Sequence, residues 1–438
     1  MNNRIKLLIA AVVLTLGTRA ASVETDRAWY LAGEAMRLSV VADDAPIAYA
    51  ELCDTYGMAT GVVINLDGGR GAATIELPTD LHSGYYMLSV YTRHSPNVSR
   101  QLVAVVNPLR RSEDDDIEWV ADDSSAECRV ESVEFAAATP SSDPLGTAAA
   151  NSKLSTLNSQ LNNIPETEGH IVRARVRNVY DGKTYRGSQI RPSLSIVGKQ
   201  IHYFEGKMVN DTTAVFFTYG LHGKQPLVLS AATYTGVSLP VEIISPFAAL
   251  LPKSLPRLVF HYRRSEVETR SLDMQRHQIA IAPAKHELQL GEYEDAEAED
   301  GVPLDYDNSV FGKKPDLSYN LDEYRQFLTI REVLTEYVSL VRRVKINGVP
   351  QLLVRKENQP YVDSWPAMVF IDGMPVIDVD RLLNYDARRI HYINIYSGQY
   401  TFGNGIYRGI LSFVSRSGRL TNYPTEPNTQ YLVYGFPE

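Results

Sequence analysis

The chain is 438 residues long, more than one hydrophobic core usually organises, so about three domains are expected. With 44% hydrophobic and 22% charged residues it has the composition of a globular protein, and its 26 tyrosines, together with Val, Ile and Thr, favour strand. A net charge of −9 with no clustered Lys and Arg excludes the electrostatic footprint of a nucleic-acid-binding protein.

At the N-terminus, Arg4 and Lys6 precede the apolar run from Leu7 to Gly17, and small residues surround Ala20. Residues 1–20 therefore read as a secretory signal peptide, and the mature chain as exported. No later stretch reaches the roughly 20 uninterrupted apolar residues of a membrane helix, so no transmembrane span is expected after cleavage. Export would permit a disulfide between Cys53 and Cys128, although the first falls in a predicted strand and the second in a polar segment. Two isolated cysteines offer no zinc-ligand spacing.

Residues 23–108 break into about seven short alternating runs separated by turns, the pattern of an antiparallel two-sheet sandwich. Within it, Tyr30 to Glu34 (YLAGE), Ala50 to Leu52 (AEL), Glu76 to Pro78 (ELP) and Ser83 to Tyr86 (SGYY) resemble the macroglobulin-type immunoglobulin-like domain of bacterial surface proteins. The resemblance implies a spacer or binding sandwich. Nothing resembles the internal thioester of protease-trapping macroglobulins.

Residues 109–164 turn polar, small and acidic, and are expected to form a flexible linker; the carboxylates from Glu113 to Asp116 read as a solvated run, not a calcium site. A second β sandwich is expected over residues 165–250, where HIVRARVRNV alternates and TAVFFTYGL and PLVLSAATY supply further strands. Its start faintly resembles carboxypeptidase-regulatory-type modules. Residues 251–317 give mixed signals, irregular or β, and contain the acidic stretch GEYEDAEAEDGVPLDYDNS.

Over residues 318–420 the stretch from Asn320 to Gly348 predicts one helix, capped by Asn320 or Asp322, with Phe327, Val333, Leu334, Tyr337, Val338 and Val341 on one stripe. The strands QLLVRK, AMVFIDG, IHYINIYSG and GILSFVSRSG follow, and Val379, Leu382 and Leu383 mark a short helix capped by Asp378. Asp372-Gly373 permits positive φ and reverses the strand, and Pro375 sets φ on the return. This ordered series, with Gly403, Gly409 and Gly418, resembles the plug domain of TonB-dependent outer-membrane receptors. The expected fold is multidomain and mainly β: two antiparallel β sandwiches, then an α+β plug-like domain and a tail at 421–438.

Such receptors enclose the plug in a 22-stranded barrel of several hundred residues, whereas 18 residues follow Leu420, so uptake by this polypeptide alone is not expected. The ending YLVYGFPE stops on a β-like run, which also suits a fragment of a longer chain. No His-Glu-x-x-His, Gly-x-Ser-x-Gly or Walker sequence occurs, and FGNGIYRG runs into a strand where a dinucleotide needs a helix N-terminus. Asp372 has no partner carboxylate, and the histidines, among them His170, read as surface or core residues. No catalytic residue, cofactor or metal is therefore assigned. Tyr392, Tyr396, Tyr400, Phe402 and Tyr407, with Tyr85, Tyr86 and Tyr91, are candidate partner contacts, because Tyr offers large area at small entropic cost; the other reading has alternate ones packing inward as strand core. The expected function is that of a non-enzymatic protein, periplasmic or at the outer-membrane surface, binding or scaffolding a protein partner of the cell envelope. The alternatives are a plug-like accessory to a separately encoded barrel or TonB machinery, and a macroglobulin-like protease inhibitor.

Overall fold

A computed structural model describes residues 21–42, 45–93, 97–108, 110, 115–120, 129–130, 166, 169–197, 201–287, 311, 314–346, 348–361, 365–402, 405–416, 418, 423 and 426–438. The expected signal peptide, most of the expected linker, Cys128 and the acidic stretch lie outside these residues. The chain is mainly β and divides into two compact units, Met1–Pro165 with Ala249–Arg263, and Glu166–Ala248 with Arg264–Glu438.

In the first unit, strands β1 (Ser22–Thr25), β3 (Ala35–Val41) and β6 (Arg70–Glu76) form one sheet. The other has the order β2 (Trp29–Leu31), β8 (Val98–Val106), β7 (Gly84–Tyr91), β4 (Ile47–Cys53), β5 (Met58–Asn65), with β2 parallel to β8. Strand β3 alternates, turning Met36, Leu38 and Val40 inward against Ala48, Leu52, Leu88 and Val103 of the facing sheet. The strand order is that of an immunoglobulin-like domain. At the entry to β7, Tyr86 donates its hydroxyl to the His82 carbonyl at 3.0 Å, the tyrosine-corner contact of such folds.

Part of the expected linker is strand. Asp115–Val120 (β9) and Arg129–Val130 (β10) flank Leu258–Arg263 (β20 in chain order), which runs parallel to β9. Trp119 packs edge-on to Tyr262 at 4.6 Å, and Phe260 edge-on to Trp29 at 4.7 Å. The apolar residues Ile117, Trp119 and Val120 inside an acidic run found a partner strand far along the chain. Where the chain returns, buried Glu51 accepts hydrogen bonds from the backbone N–H of Ala249, at 3.0 Å, and of Leu250.

In the second unit, two four-stranded antiparallel sheets enclose one core. The first has the order β16 (Lys207–Met208), β17 (Thr213–Thr218), β11 (His170–Val176), β19 (Val241–Ile244). The second has the order β15 (His202–Glu205), β14 (Ile190–Ile196), β18 (Lys224–Thr233), β28 (Gln430–Gly435). A small hairpin joins β12 (Val179–Tyr180) to β13 (Lys183–Thr184). Strand β28 lies in the expected C-terminal tail. It pairs from Lys224↔Gly435 to Leu229↔Gln430 and adds Tyr434 and Phe436 to the core.

Helix α1 (Arg264–Glu287) occupies a segment expected to be irregular or β. Its sequence has helix-forming Glu, Arg and Gln and an i,i+4 pair, Arg264 to Glu268 at 2.9 Å, but no apolar stripe to betray it.

The remainder is a mixed five-stranded sheet of order β21 (Leu317–Asn320), β26 (Ile390–Phe402), β27 (Gly405–Ser415), β24 (Met368–Ile371), β25 (Met374–Pro375), in which β24 and β27 run parallel. The single helix expected from Asn320 to Gly348 is not there. Asn320 caps only a 3-10 turn, Leu321–Glu323. Thr329 and Glu332 then form a reciprocal capping box that starts a seven-residue helix, α2 (Ile330–Glu336). Beyond it, β22 (Val341–Ile346) and β23 (Val349–Val354) form a hairpin through Gly348 at φ 81°. Arg342, Arg343 and Lys345 are interspersed with Val341, Val344 and Ile346 in a β-branched run, which suits a strand. Helix α3 (Val379–Leu383) forms where expected, with Asp378 accepting from Arg381 N–H. Both helices cover one face of the sheet, against Val369, Ile371, Ile393, Ile395, Leu411 and Phe413.

Candidate functional site

The Asp-Gly turn is fastened on two sides. Asp372 and Gly373 have φ of 47° and 87°, so both lie in the left-handed region that a two-residue hairpin needs, and Pro375 pairs back with Phe370. The buried Asp372 carboxylate accepts from the Ser415 N–H at 2.7 Å and the Ser415 hydroxyl at 2.5 Å. Ser415 Oγ in turn accepts from Gly418 N–H at 3.0 Å. A Cβ on Gly373 would lie 2.6 Å from Ile201 Cγ2, and one on Gly409, φ 96°, 2.6 Å from Val354 Cβ. Gly403 lies outside the described residues. These residues hold the backbone in close approaches.

Most of the aromatic residues named as candidate partner contacts lie in the interior. Tyr396 is 0% and Tyr407 7% exposed, and Tyr85, Tyr86 and Tyr91 are buried too. Because successive strand side chains alternate, Tyr396, Ile410, Met368 and Phe370 share the face of the sheet away from the helices, and Tyr407 joins their cluster across Gly409, whose φ of 96° breaks the alternation. Phe311 covers them, with Tyr400 and Phe402 half-buried at the margin, and Tyr203 of β15 meets Phe370 and Phe402 edge-on, both at 5.3 Å. Tyr392 is half-buried, its ring 4.0 Å from that of His391. His170 is a satisfied core residue, bonded to Tyr434 Oη at 2.7 Å and 3.4 Å from Glu166.

Beside this aromatic layer lies a cleft of about 90 Å³ that the sequence did not reveal. Strand β14 supplies Arg191 and Ser193, β18 Ser230, β23 Gln351, and β27 Tyr407. The Arg191 guanidinium carbon lies 4.7 Å from the ring centre of Tyr234 and 5.0 Å from that of Tyr407, and Nη1 donates to Tyr407 Oη at 2.6 Å. Two aromatic faces and a hydrogen bond thus hold the guanidinium in place. Its Nε–H is shielded from solvent and meets no acceptor among the described residues. Ser193 and Ser230 share one hydrogen bond of 2.7 Å. Burial, with the Glu205 carboxylate nearby, pushes the Tyr203 phenol well up, so it remains a neutral hydroxyl. A second cavity of about 250 Å³ shares the walls Gly236 and Ile377 and extends past Tyr180 and Asn428.

Nothing in IRPSLSI marks Arg191, which reads as one outward-pointing residue of a strand; its aromatic partners come from distant segments. Among the described residues, no three His, Cys, Asp or Glu side chains come together as a metal site.

No protein-family model matches the chain, and no curated protein does. The native conformation of Escherichia coli alpha-2-macroglobulin is 10% identical, with a TM-score of 0.18, covering 52% of this chain and 14% of that one. The BSP domain of a biofilm-associated protein is 11% identical, with a TM-score of 0.16, covering 56% of this chain and 30% of that one. A chain of the crystal structure of Dpr1 IG1 bound to DIP-eta IG1 is 15% identical, with a TM-score of 0.13, covering 20% of this chain and 95% of that one. The chain thus spans less than a third of the first two.

Proposed function

We propose that this chain is a non-enzymatic, exported binding or scaffold protein of the periplasmic or outer-membrane surface. In this reading a macroglobulin-like sandwich and a second sandwich carry a module akin to the plug of TonB-dependent receptors. The observation that carries it is the Arg191 cleft. A cation fixed between two tyrosine rings at the meeting of three sheets is preorganised, and preorganisation lowers the ordering cost of binding. The plug-like kinship is supported by the locked Asp372-Gly373 hairpin, helix α3, and the long β26–β27 hairpin beside a parallel β24.

The test is expression of the whole chain with a C-terminal tag in a Gram-negative host, followed by envelope fractionation, cross-linking and identification of captured proteins. Recovery from the envelope with a specific partner is the expected outcome. Retention in the cytoplasm, or recovery without a partner, would overturn the reading. The second reading, an accessory to a separate barrel, draws on the same hairpin and predicts that the captured partner is an outer-membrane barrel.

A further inference from the structure

We infer that the cleft at Arg191 is a carboxylate-binding site, its ligand a single carboxylate carried on a small apolar stem. This deepens the binding reading above and rests on it.

The chemistry of the walls selects the ligand. Among the described residues, Arg191 brings the one formal positive charge and no acidic side chain lines the cavity. Glu205 acts by its charge on the Tyr203 and Tyr407 phenols but is not among the lining residues. The guanidinium is locked by Tyr234 and Tyr407, with Nη1 given to the Tyr407 hydroxyl, so it cannot swing away to an internal partner. The two serine hydroxyls share a hydrogen bond, and Ser193 is also bonded to the Tyr203 phenol, which fixes these hydroxyls in the wall of the cleft. Gln351 adds a carboxamide. These are directed donors around one charge, which suits an anion with two acceptor oxygens in a plane.

Polarity then separates carboxylate from phosphate. The rest of the wall is apolar, with Pro366, Met368, Pro375 and Val376, which suits a carbon stem and leaves the further oxygens of a phosphate without donors. The carboxylate could belong to an acidic side chain, to a polypeptide C-terminus or to a free organic acid.

Titration of the purified full chain distinguishes these sources. The probes are N-acetyl-aspartate N-methylamide for a side chain, N-acetylglycine for a terminus and acetate for a free acid, with phosphate and chloride as comparators. At least one carboxylate probe is expected to bind in the millimolar range, the scale for ligands of few heavy atoms, and more tightly than phosphate. Arg191→Lys keeps the charge but loses the planar fork, and should weaken that binding by at least about tenfold. If Arg191→Lys does not fold by thermal melting, Ser193→Ala replaces it, with a smaller expected loss. A chain that prefers phosphate, that binds no carboxylate probe, or whose folded variant binds as well as wild type would overturn the inference. If no carboxylate probe binds but an envelope partner is captured, the carboxylate site falls and the scaffold reading stands. If carboxylates bind through Arg191 but no partner is captured, the reverse holds.

Discussion

The carboxylate of Asp372 takes two hydrogen bonds from one residue, the backbone N–H and the hydroxyl of Ser415, and so ties a hairpin turn to the end of strand β27. Both partners are buried, so removing the acceptor leaves two donors stranded in the interior. Asp372→Ala is expected to cost about 2–4 kcal/mol, and Asp372→Asn less, since the amide keeps one acceptor and tolerates positive φ. Chemical denaturation of the two variants checks this; equal stability of Asp372→Ala and wild type would refute the tie.

The next turn residue supplies a matched comparison. Gly373 and Gly182 both follow an aspartate with positive φ, 87° and 69° respectively, but a Cβ on Gly373 meets Ile201 at 2.6 Å whereas one on Gly182 meets nothing within 4 Å. Gly182→Ala should lose about 1–2 kcal/mol to backbone strain alone. Gly373→Ala should lose about 2–4 kcal/mol, because overpacking adds to the strain. Urea midpoints of the two variants, at equal slope, measure the difference.

Glu426 gives the fold a pH dependence. It is 3% exposed, accepts from Tyr423 Oη at 3.0 Å and from Asp378 N–H at 3.1 Å, and burial pushes its carboxyl from an ordinary 4.5 up to about 7. The Asp378 carboxylate adds to the rise, while the two hydrogen bonds and Arg381 oppose it. Because the folded value lies above the unfolded one, this contribution to stability is complete below about pH 4.5 and is lost as pH rises through about 7. Glu426→Gln keeps a neutral hydrogen-bonding group and should flatten the stability profile across that window. The wild-type loss attributable to this group is on the order of a few kcal/mol. Parallel slopes for the two proteins between pH 5 and 7.5 would show that Glu426 does not titrate in this way.

Tyr396 separates a core role from a contact role. Its ring is fully buried among Phe311, Phe370 and Ile410, and its hydroxyl meets no acceptor among the described residues. Tyr396→Ala should therefore destabilise the fold by about 3–5 kcal/mol. Tyr396→Phe, which removes a buried hydroxyl that lacks a partner, should be neutral or stabilising. Thermal melting and partner capture on both variants decide: a stable Tyr396→Phe that lost its partner would restore the contact role.

Much of the local structure was written in the sequence because its causes are local. Alternation set the inward face of β3, the Asp-Gly pair set the turn at 372–373, and Asp378 before Val379 set the start of α3. The misread helix shows where local signals compete: apolar residues at helical spacing ran across a Thr329–Glu332 capping box and into the β-branched run of β22, and a facing strand decided the outcome. The seating of β28 beside β18, of β9 beside β20, and of Arg191 between Tyr234 and Tyr407 was decided by tertiary structure alone. Turns and caps close within a few residues and carry their partners with them. A strand edge or an isolated guanidinium is completed by groups many residues away, and only the folded chain brings those together.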